Sequence, residues 1–543
     1  MKKSLITLLL LCTAALVQAA TLKGVVKDSS TGEPLTGATV YVKGTTSGAA
    51  TDLDGRFEIT GIKGNECTLV ISFITYKTKE LDLHLTSPMA DLEIALEPDN
   101  IQLGEVTVEE KKNLEGVMAL QKERLISNVA IENIGAKEMS IKGISNVQEG
   151  VKKMTGISIA SAGQLIVRGL GDRYSLTTLN GLAIASPNPD NKLVPLDLFP
   201  SSTVQNITVS KVYDVASFAD YSGAHIDIST KVNIPDDFFE ISLNTGGAFN
   251  TIGRTRYQMD RNGSLFKTSA INRNVLDMPL QEFDEYVKTH NIFPTTFQVS
   301  KKTALPALGG NISMGKNFQL GGQTLSVLAS VNLSNDYQNT NNAFYKTLEA
   351  TGNVQSDFNY DSYAQMLKMA ALGYVGYTLR ESDRIGYTFF YARNANDEYQ
   401  CRTGVDAEGH KLTGSNNVTH IYSLQNHQLN GLHYFADDRL VLDWGASYGM
   451  TNSDEPDRRQ VMYVHEDGKL DLFKLNRQET MRYFGSLSEN EWNGNIGLKW
   501  KWNDNSFIKA GVNYKDKSRD YMGTRFYYNL NRLNPEISSI YDT

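Results

Sequence analysis

WNGNIGLKWKW, residues 492–502, decides how the second half of this chain is read. Its even positions Trp492, Ile496, Leu498, Trp500 and Trp502 are apolar. Its odd positions Asn493, Asn495, Gly497, Lys499 and Lys501 are polar or small. A period of two is the repeat of a β-strand with one greasy and one wet face. The pattern recurs in LVLDWGASYGM (440–450), where Leu440, Leu442, Trp444, Ala446, Tyr448 and Met450 share a side. It recurs again in TLSVLASVNL (324–333) and RIGYTFFYA (384–392). A soluble sandwich would alternate too, so the connections must discriminate. Short turns fall at 316–322, 379–384, 436–439 and 503–506, and long polar stretches at 336–361, 399–415 and 453–480. Short turns at one end and long loops at the other mark an outer-membrane barrel, and Trp500, Trp502, Phe389 and Tyr391 fit its interfacial aromatic girdles. The fold class is therefore mostly β, with residues 235–543 forming part of a transmembrane antiparallel β-barrel.

Composition agrees. The 543 residues include 44 Gly, 26 Tyr and 21 Phe, which suits many short strands better than helices. A net charge of −8 argues against nucleic acid as a partner. Residues 1–20 read as a signal peptide: Lys2 and Lys3, then the apolar LITLLLLCTAALV, then small residues near Ala19 and Ala20. Cys12 follows Leu11, where lipid attachment wants a small residue, so it is assigned to the discarded segment. Cys67 and Cys401 then remain, too few and too far apart for a disulfide scaffold or a cysteine metal site. No later run reaches 18 apolar residues, so no transmembrane helix is expected. An exported chain without such a helix can still cross a membrane with strands.

Two smaller regions precede the barrel. Residues 21–97 hold about seven short strands, among them a hairpin turning at Asp54-Gly55, and read as a sandwich. Asp52 and Asp54 could be calcium ligands, but the EF-hand pattern fails after Gly55 and a plain hairpin reads better. Residues 98–234 are mixed α/β. Helical character is expected in part of 114–139. In SNVQEGVKKM, Ser145 and Gln148 form a capping box and Val147, Val151 and Met154 share a face, with Gly156 ending the helix.

Chemistry-bearing motifs are scarce. VRGLGDRYSLTTLNG (167–181) looks at first like a phosphate cradle, but it is not GxGxxG, no Lys-Ser/Thr follows, and no helix opens from it. GISIA is not a nucleophile elbow, HExxH is lacking, and the eight His form no ligand-spaced cluster. His225 reads as a structural residue. No catalytic residue, cofactor or metal ligand is assigned.

Longer runs carry a family resemblance. GVVKD (24–28) with TGEPLTGATVYVKGTTSGAATDLDGRFEI (31–59) resembles the carboxypeptidase regulatory-like domain, a transthyretin-like β-sandwich that is not catalytic; Thr75 stands where that family usually has Gly. Residues 167–231 are similar to the plug of TonB-dependent outer-membrane receptors, through Arg168-Gly169, Asn180-Gly181, VPLDLFP, VQNITVSK and SGAHIDISTK, which includes Gly223. His225 replaces a more usual small or apolar residue there. The resemblance implies a signal peptide (1–20), a regulatory-like sandwich (21–97), a linker (98–112), an α/β plug (113–234) and a barrel (235–543). The glycine motif at 167–181 then becomes a set of tight turns. Arg168 and Arg173 are expected to pair with carboxylates on the barrel's inner wall, or else with solvent and plug groups.

Function follows from the same resemblance. The outer membrane has no ATP and no ion gradient of its own, so transport there is driven by contact with the periplasmic protein TonB. The family pairs with TonB through a short strand ahead of the plug. LGEVTV, that is Leu103, Gly104, Glu105, Val106, Thr107 and Val108, is the candidate TonB box; the alternative is a last linker strand packed on the sandwich. The chain reads as an importer of a nutrient ligand at the cell outer membrane. The competing reading is a ligand-binding or signalling receptor without major transport, and an exported enzyme has no supporting residues. The partners implied are TonB, outer-membrane lipid and a surface lipoprotein; the ligand is unknown. Alternation yields nine barrel strands, near 238–249, 308–316, 323–335, 363–379, 384–395, 417–435, 439–451, 482–502 and 506–522. A plug-bearing barrel has about 22, which leads to the expectation of a truncated chain lacking roughly 400 residues.

Overall fold

A computed structural model describes residues 20–97 and 115–528, apart from residues 30, 44, 46, 63–65, 74–75, 85–88, 161–163, 262, 267–272, 381–382, 437, 474–479 and 504–505. The signal segment before Ala20 and the candidate TonB box at 103–108 lie outside the described residues. The chain divides into two compact units, Met1–Thr107 and Val108–Thr543.

The first unit holds β1 (Ala20–Asp28), β2 (Thr39–Val42), β3 (Gly48–Ala50), β4 (Arg56–Ile62), β5 (Glu66–Ser72), β6 (Lys79–His84) and β7 (Met89–Leu96). They form two sheets, ordered β4-β1-β7 and β3-β2-β5-β6. Alternate residues of each sheet, such as Leu22, Val26, Val40, Ile59, Leu69, Ile71 and Ile94, meet in one buried core, the arrangement of a β-sandwich. Between β3 and β4 the Asp52 carboxylate accepts from Asp54 N (3.0 Å) and Arg56 N (2.8 Å), and Gly55 takes φ +70°. Those bonds occupy the Asp52 side chain in shaping a hairpin.

The second unit opens with α1 (Val117–Ile126), β8 (Ile131–Gly135), α2 (Ala136–Ile141), α3 (Val147–Val151), β9 (Ile157–Ile159), β10 (Leu165–Val167), β11 (Leu176–Leu179), β12 (Leu182–Ala183), β13 (Val204–Ser210) and β14 (His225–Thr230). Five strands make one mixed sheet, ordered β12-β11-β14-β13-β8. The predicted capping box is displaced by one residue. Asn146 is the N-cap and accepts from Glu149 N (3.1 Å), while Ser145 N donates to Glu149 (2.8 Å). Asn is as good a cap as Ser, and the Glu149 carboxylate reaches back past the cap to the N–H of the residue before it.

The remainder holds β15 (Phe238–Gly246), β16 (Thr255–Met259), α4 (Arg273–Leu276), α5 (Leu280–Tyr286), β17 (Val299–Thr303), β18 (Ala307–Leu320), β19 (Gln323–Leu348), β20 (Val354–Thr378), β21 (Arg384–Asp406), β22 (Lys411–Phe435), β23 (Leu440–Glu466), β24 (Lys469–Leu472), β25 (Met481–Asn503) and β26 (Ser506–Tyr527). One antiparallel sheet runs β15-β18-β19-β20-β21-β22-β23-β25-β26, with β24 hung on β23. The alternation sorts its faces. Trp492, Ile496, Trp500, Val331 and Tyr387 stand exposed on one side, whereas Phe390, Ala392, Leu372 and Leu424 are buried on the other.

The long polar stretches expected as loops are mostly strand. β19 and β20 meet across residues 349–353, and β21 and β22 across 407–410. Beyond the apolar band, runs such as QNTNN (338–342) are polar on both faces, so the alternation fades from the sequence while the backbone ladder continues. The long connection lies elsewhere, at 247–306 between β15 and β18.

Candidate functional site

The mixed sheet of residues 131–230 packs on the buried face of the large sheet. One continuous core joins Leu196, Phe199, Val204 and Ile228 to Leu328, Leu372, Phe390 and Leu424. Phe199 is fully buried and stacks on Phe390 with ring centroids 5.1 Å apart. Around this greasy contact runs a polar seam.

The two glycine motifs of residues 167–181 are both turns. Arg168 (φ +49°) and Gly169 (φ +81°) are the centre of a turn closed by Leu170 N on Val167 O (2.9 Å). Asn180 (φ +53°) and Gly181 (φ +80°) join β11 to β12. Two successive positive φ values define a type I′ turn, which Asn-Gly adopts at little cost. Asn180 then bonds on both sides. Its oxygen accepts from Thr230 N (2.8 Å), and its nitrogen donates to Gln428 of β22 (2.8 Å). Gln428 returns a bond to Leu179 O (2.8 Å), and Asp227 accepts from Gly181 N (2.7 Å). Gly223 sits where an added Cβ would lie 3.0 Å from Tyr174 O and 3.1 Å from Ser175 Oγ, so a side chain there would crowd both.

Ion pairs across the seam run opposite to the expectation for Arg168 and Arg173. Both arginines are exposed, and neither forms an ion pair among the described residues. Instead the inner domain supplies carboxylates and the wall supplies cations. Asp197 accepts from Lys368 of β20 (2.8 Å) and Asn394 of β21 (2.9 Å). Asp220 accepts from Lys515 of β26 (2.9 Å). Burial works against the Asp220 charge, yet the Lys515 ammonium bonded to it holds its pKa below the usual carboxylate value. Asn493 of β25 donates to Ala183 O (3.0 Å). Sequence reasoning missed these residues. The signal was a lone charge inside an apolar run, as in VPLDLFP around Asp197 and QMLKMAAL around Lys368.

His225 is held at both ring nitrogens, by Thr178 Oγ1 (2.8 Å) and Ser217 Oγ (3.2 Å). Burial pushes its pKa down, against the upward pull of Asp227 and Asp214.

Above the seam, the loop Ser186–Leu193 is fixed by its own side chains: Ser186 Oγ donates to Leu193 O (2.9 Å), and Asn188 accepts from Asp190 N (3.0 Å). Asp190 lies within electrostatic reach of His420, Tyr422 and Glu455 on the wall. Arg458 pairs with Glu455 and lies over the Tyr483 ring (5.5 Å). Among the described residues, the side-chain oxygens of Asn396, Asn416 and Asn426 on the same face are buried without a hydrogen-bond partner. Buried amides of that kind call for a polar guest or water. The surface can hold a polar ligand by hydrogen bonds; it shows no nucleophile–base pair.

Two family models match. Residues 22–108 match the CarboxypepD_reg-like domain, and residues 125–224 the TonB-dependent Receptor Plug Domain. Among curated proteins, the TonB-dependent receptor SusC of Bacteroides thetaiotaomicron is 32% identical over 40% of this chain and 21% of its own length. The TonB-dependent receptor P26 of Formosa agariphila is 25% identical over 36% of this chain and 18% of its own length. The chain thus spans about a fifth of the length of these relatives. Among solved structures, the ferric preacinetobactin receptor BauA of Acinetobacter baumannii aligns over 76% of this chain and 60% of that one, at 11% identity and a TM-score of 0.34.

Proposed function

Starting from a chain that belongs to the TonB-dependent receptor family and resides in the outer membrane, we propose that it serves energised uptake of a nutrient ligand, driven by the periplasmic TonB protein. One observation carries the reading: a compact mixed domain is seated on the buried face of a strand sheet whose opposite face is apolar and exposed. A plug on the inner face of a membrane wall blocks passage until force or ligand shifts it. The polar seam of Asn180, Asp197 and Asp220 is weak enough to part, because each contact is a single hydrogen bond or a partly hydrated ion pair. The ligand would meet the surface of Asp190, His420, Glu455 and Arg458 first.

The coupling segment in this reading is Leu103–Val108, pairing with TonB as an added strand. Backbone hydrogen bonds along a strand resist pulling, and proline removes one donor and bends the chain. In the full-length receptor, Val106→Pro should abolish capture of the TonB C-terminal domain and TonB-dependent uptake while ligand binding persists. Uptake at the wild-type rate would refute the assignment of the box.

A further inference from the structure

The connection between β15 and β18 crosses the sheet on the face opposite the plug. Register shows this directly. Arg482 of β25 packs against it, and counting every second residue from Arg482 reaches Trp492 on the exposed apolar face. Tyr337 of β19 shares a face with Leu333 and Val331, and Leu367 of β20 with Val375. The plug contacts Lys368 and Phe390 lie on the other side.

The crossing segment is pinned along its length. Arg256 lies over the Tyr337 ring (5.2 Å), and Arg261 pairs with Asp397 of β21 (3.5 Å). Two guanidiniums on the wall hold its far end, each only 2% exposed. Arg459 donates to Asp260 (2.7 Å) and to Thr296 O, and Arg482 donates to Thr295 O and covers the Phe293 ring (4.3 Å). Arg459 reaches this face because a register shift between Glu455 and Arg458 adds a residue to β23. A bulge of that kind re-aims the side chains beyond it.

Where the segment sits along the strands also matters. Leu265 covers Leu367, Ala395 and Ile421, of which Leu367 directly follows the outward apolar row of β20, and Arg393 donates to its carbonyl. The neighbouring Phe266 is 60% exposed. Irregular backbone is excluded from the hydrocarbon core, but not from the headgroup region, where aromatics concentrate.

We propose that residues 255–261, 263–266 and 293–303 form a strap clamped by Arg459 and Arg482 to the outside of the barrel rim, and that Phe266 rests in the headgroup layer of the outer leaflet. The occupant of this surface is lipid, because on β20 the outward apolar row of Val375, Ala371 and Met369 runs unbroken to Leu367 beneath Leu265. Its location rests on the outer-membrane assignment but not on transport, so it can fail while uptake stands.

The test is spin-label depth in the full-length receptor reconstituted in lipid nanodiscs, with Cys67 and Cys401 replaced by alanine. Labels go at Val331→Cys in the apolar band, Phe266→Cys on the strap, and Asp467→Cys at the tip of the turn after β23. The proposal expects oxygen-over-nickel accessibility at 266 to fall between the other two. A value at 266 equal to that at 467 overturns it, and so does one equal to that at 331. Adding Arg459→Gln with Arg482→Gln should move the label at 266 toward the aqueous value and increase its mobility. An unchanged depth would overturn the clamp.

Discussion

Replacing Asn180 with alanine tests the plug–wall seam at its best-defined point. Three losses add up. Thr230 is buried, and its N–H would lose the oxygen that accepts it at 2.8 Å; an unsatisfied buried donor costs about 1–3 kcal/mol. The bond to Gln428 at 2.8 Å also disappears, a net term of about 0.5–1.5 kcal/mol. Alanine must further hold φ near +53°, which asparagine tolerates better, for roughly another 0.5–1 kcal/mol. The sum is about 3 kcal/mol, or a roughly hundred-fold rise in local opening. Hydrogen exchange of peptides spanning 176–184 and 225–231, in the full-length receptor, reads this directly. Asn180→Asp should lose less, because it keeps the Thr230 bond and the left-handed backbone and disturbs only Gln428. If the alanine variant exchanged within about three-fold of wild type, the claim that this turn ties plug to wall would be wrong.

Other outcomes follow from the same geometry. Phe199→Ala removes a fully buried ring stacked on Phe390 and should cost about 3–5 kcal/mol, read as earlier proteolysis of the plug within the intact receptor; wild-type resistance would contradict the shared core. Because burial depresses the His225 pKa below its ordinary 6.5, the unfolded plug takes up the proton first as the pH falls. Stability from this group is complete above about pH 6.5 and is lost as the pH drops toward the folded value. Plug melting should therefore fall between pH 7.5 and 5.5 in wild type and fall less in His225→Gln; equal slopes would exclude His225 as the cause.

Much of the fold was readable because strands announce their faces. Trp492, Ile496 and Trp500 alternate with Asn493, Asn495 and Lys499, and the sheet exposes the first set while the second is buried or half-buried. The turns at Gly55 and at Asn180-Gly181 were legible because those residue types fit positive φ. The strand extensions beyond the band were not, since residues such as QNTNN (338–342) in β19 are polar on both faces and carry no period. The strap was hidden for a different reason. Its anchors, Arg459 and Arg482, are ordinary charges in sequence and become informative only once a bulge and a register bring them side by side. The seam pairs Asp197–Lys368 and Asp220–Lys515 join residues 171 and 295 positions apart, a distance local patterns do not span.

The central claim is that the apolar face of the sheet meets lipid while the opposite face carries the plug. All four tryptophans of the chain, Trp444, Trp492, Trp500 and Trp502, lie on the apolar face. Brominated-lipid quenching of the reconstituted full-length receptor, compared with its Trp492→Phe, Trp500→Phe variant, measures this directly. The account predicts that the fluorescence lost with those two residues is quenched by bromolipid and spared by aqueous iodide. The reverse pattern would contradict it.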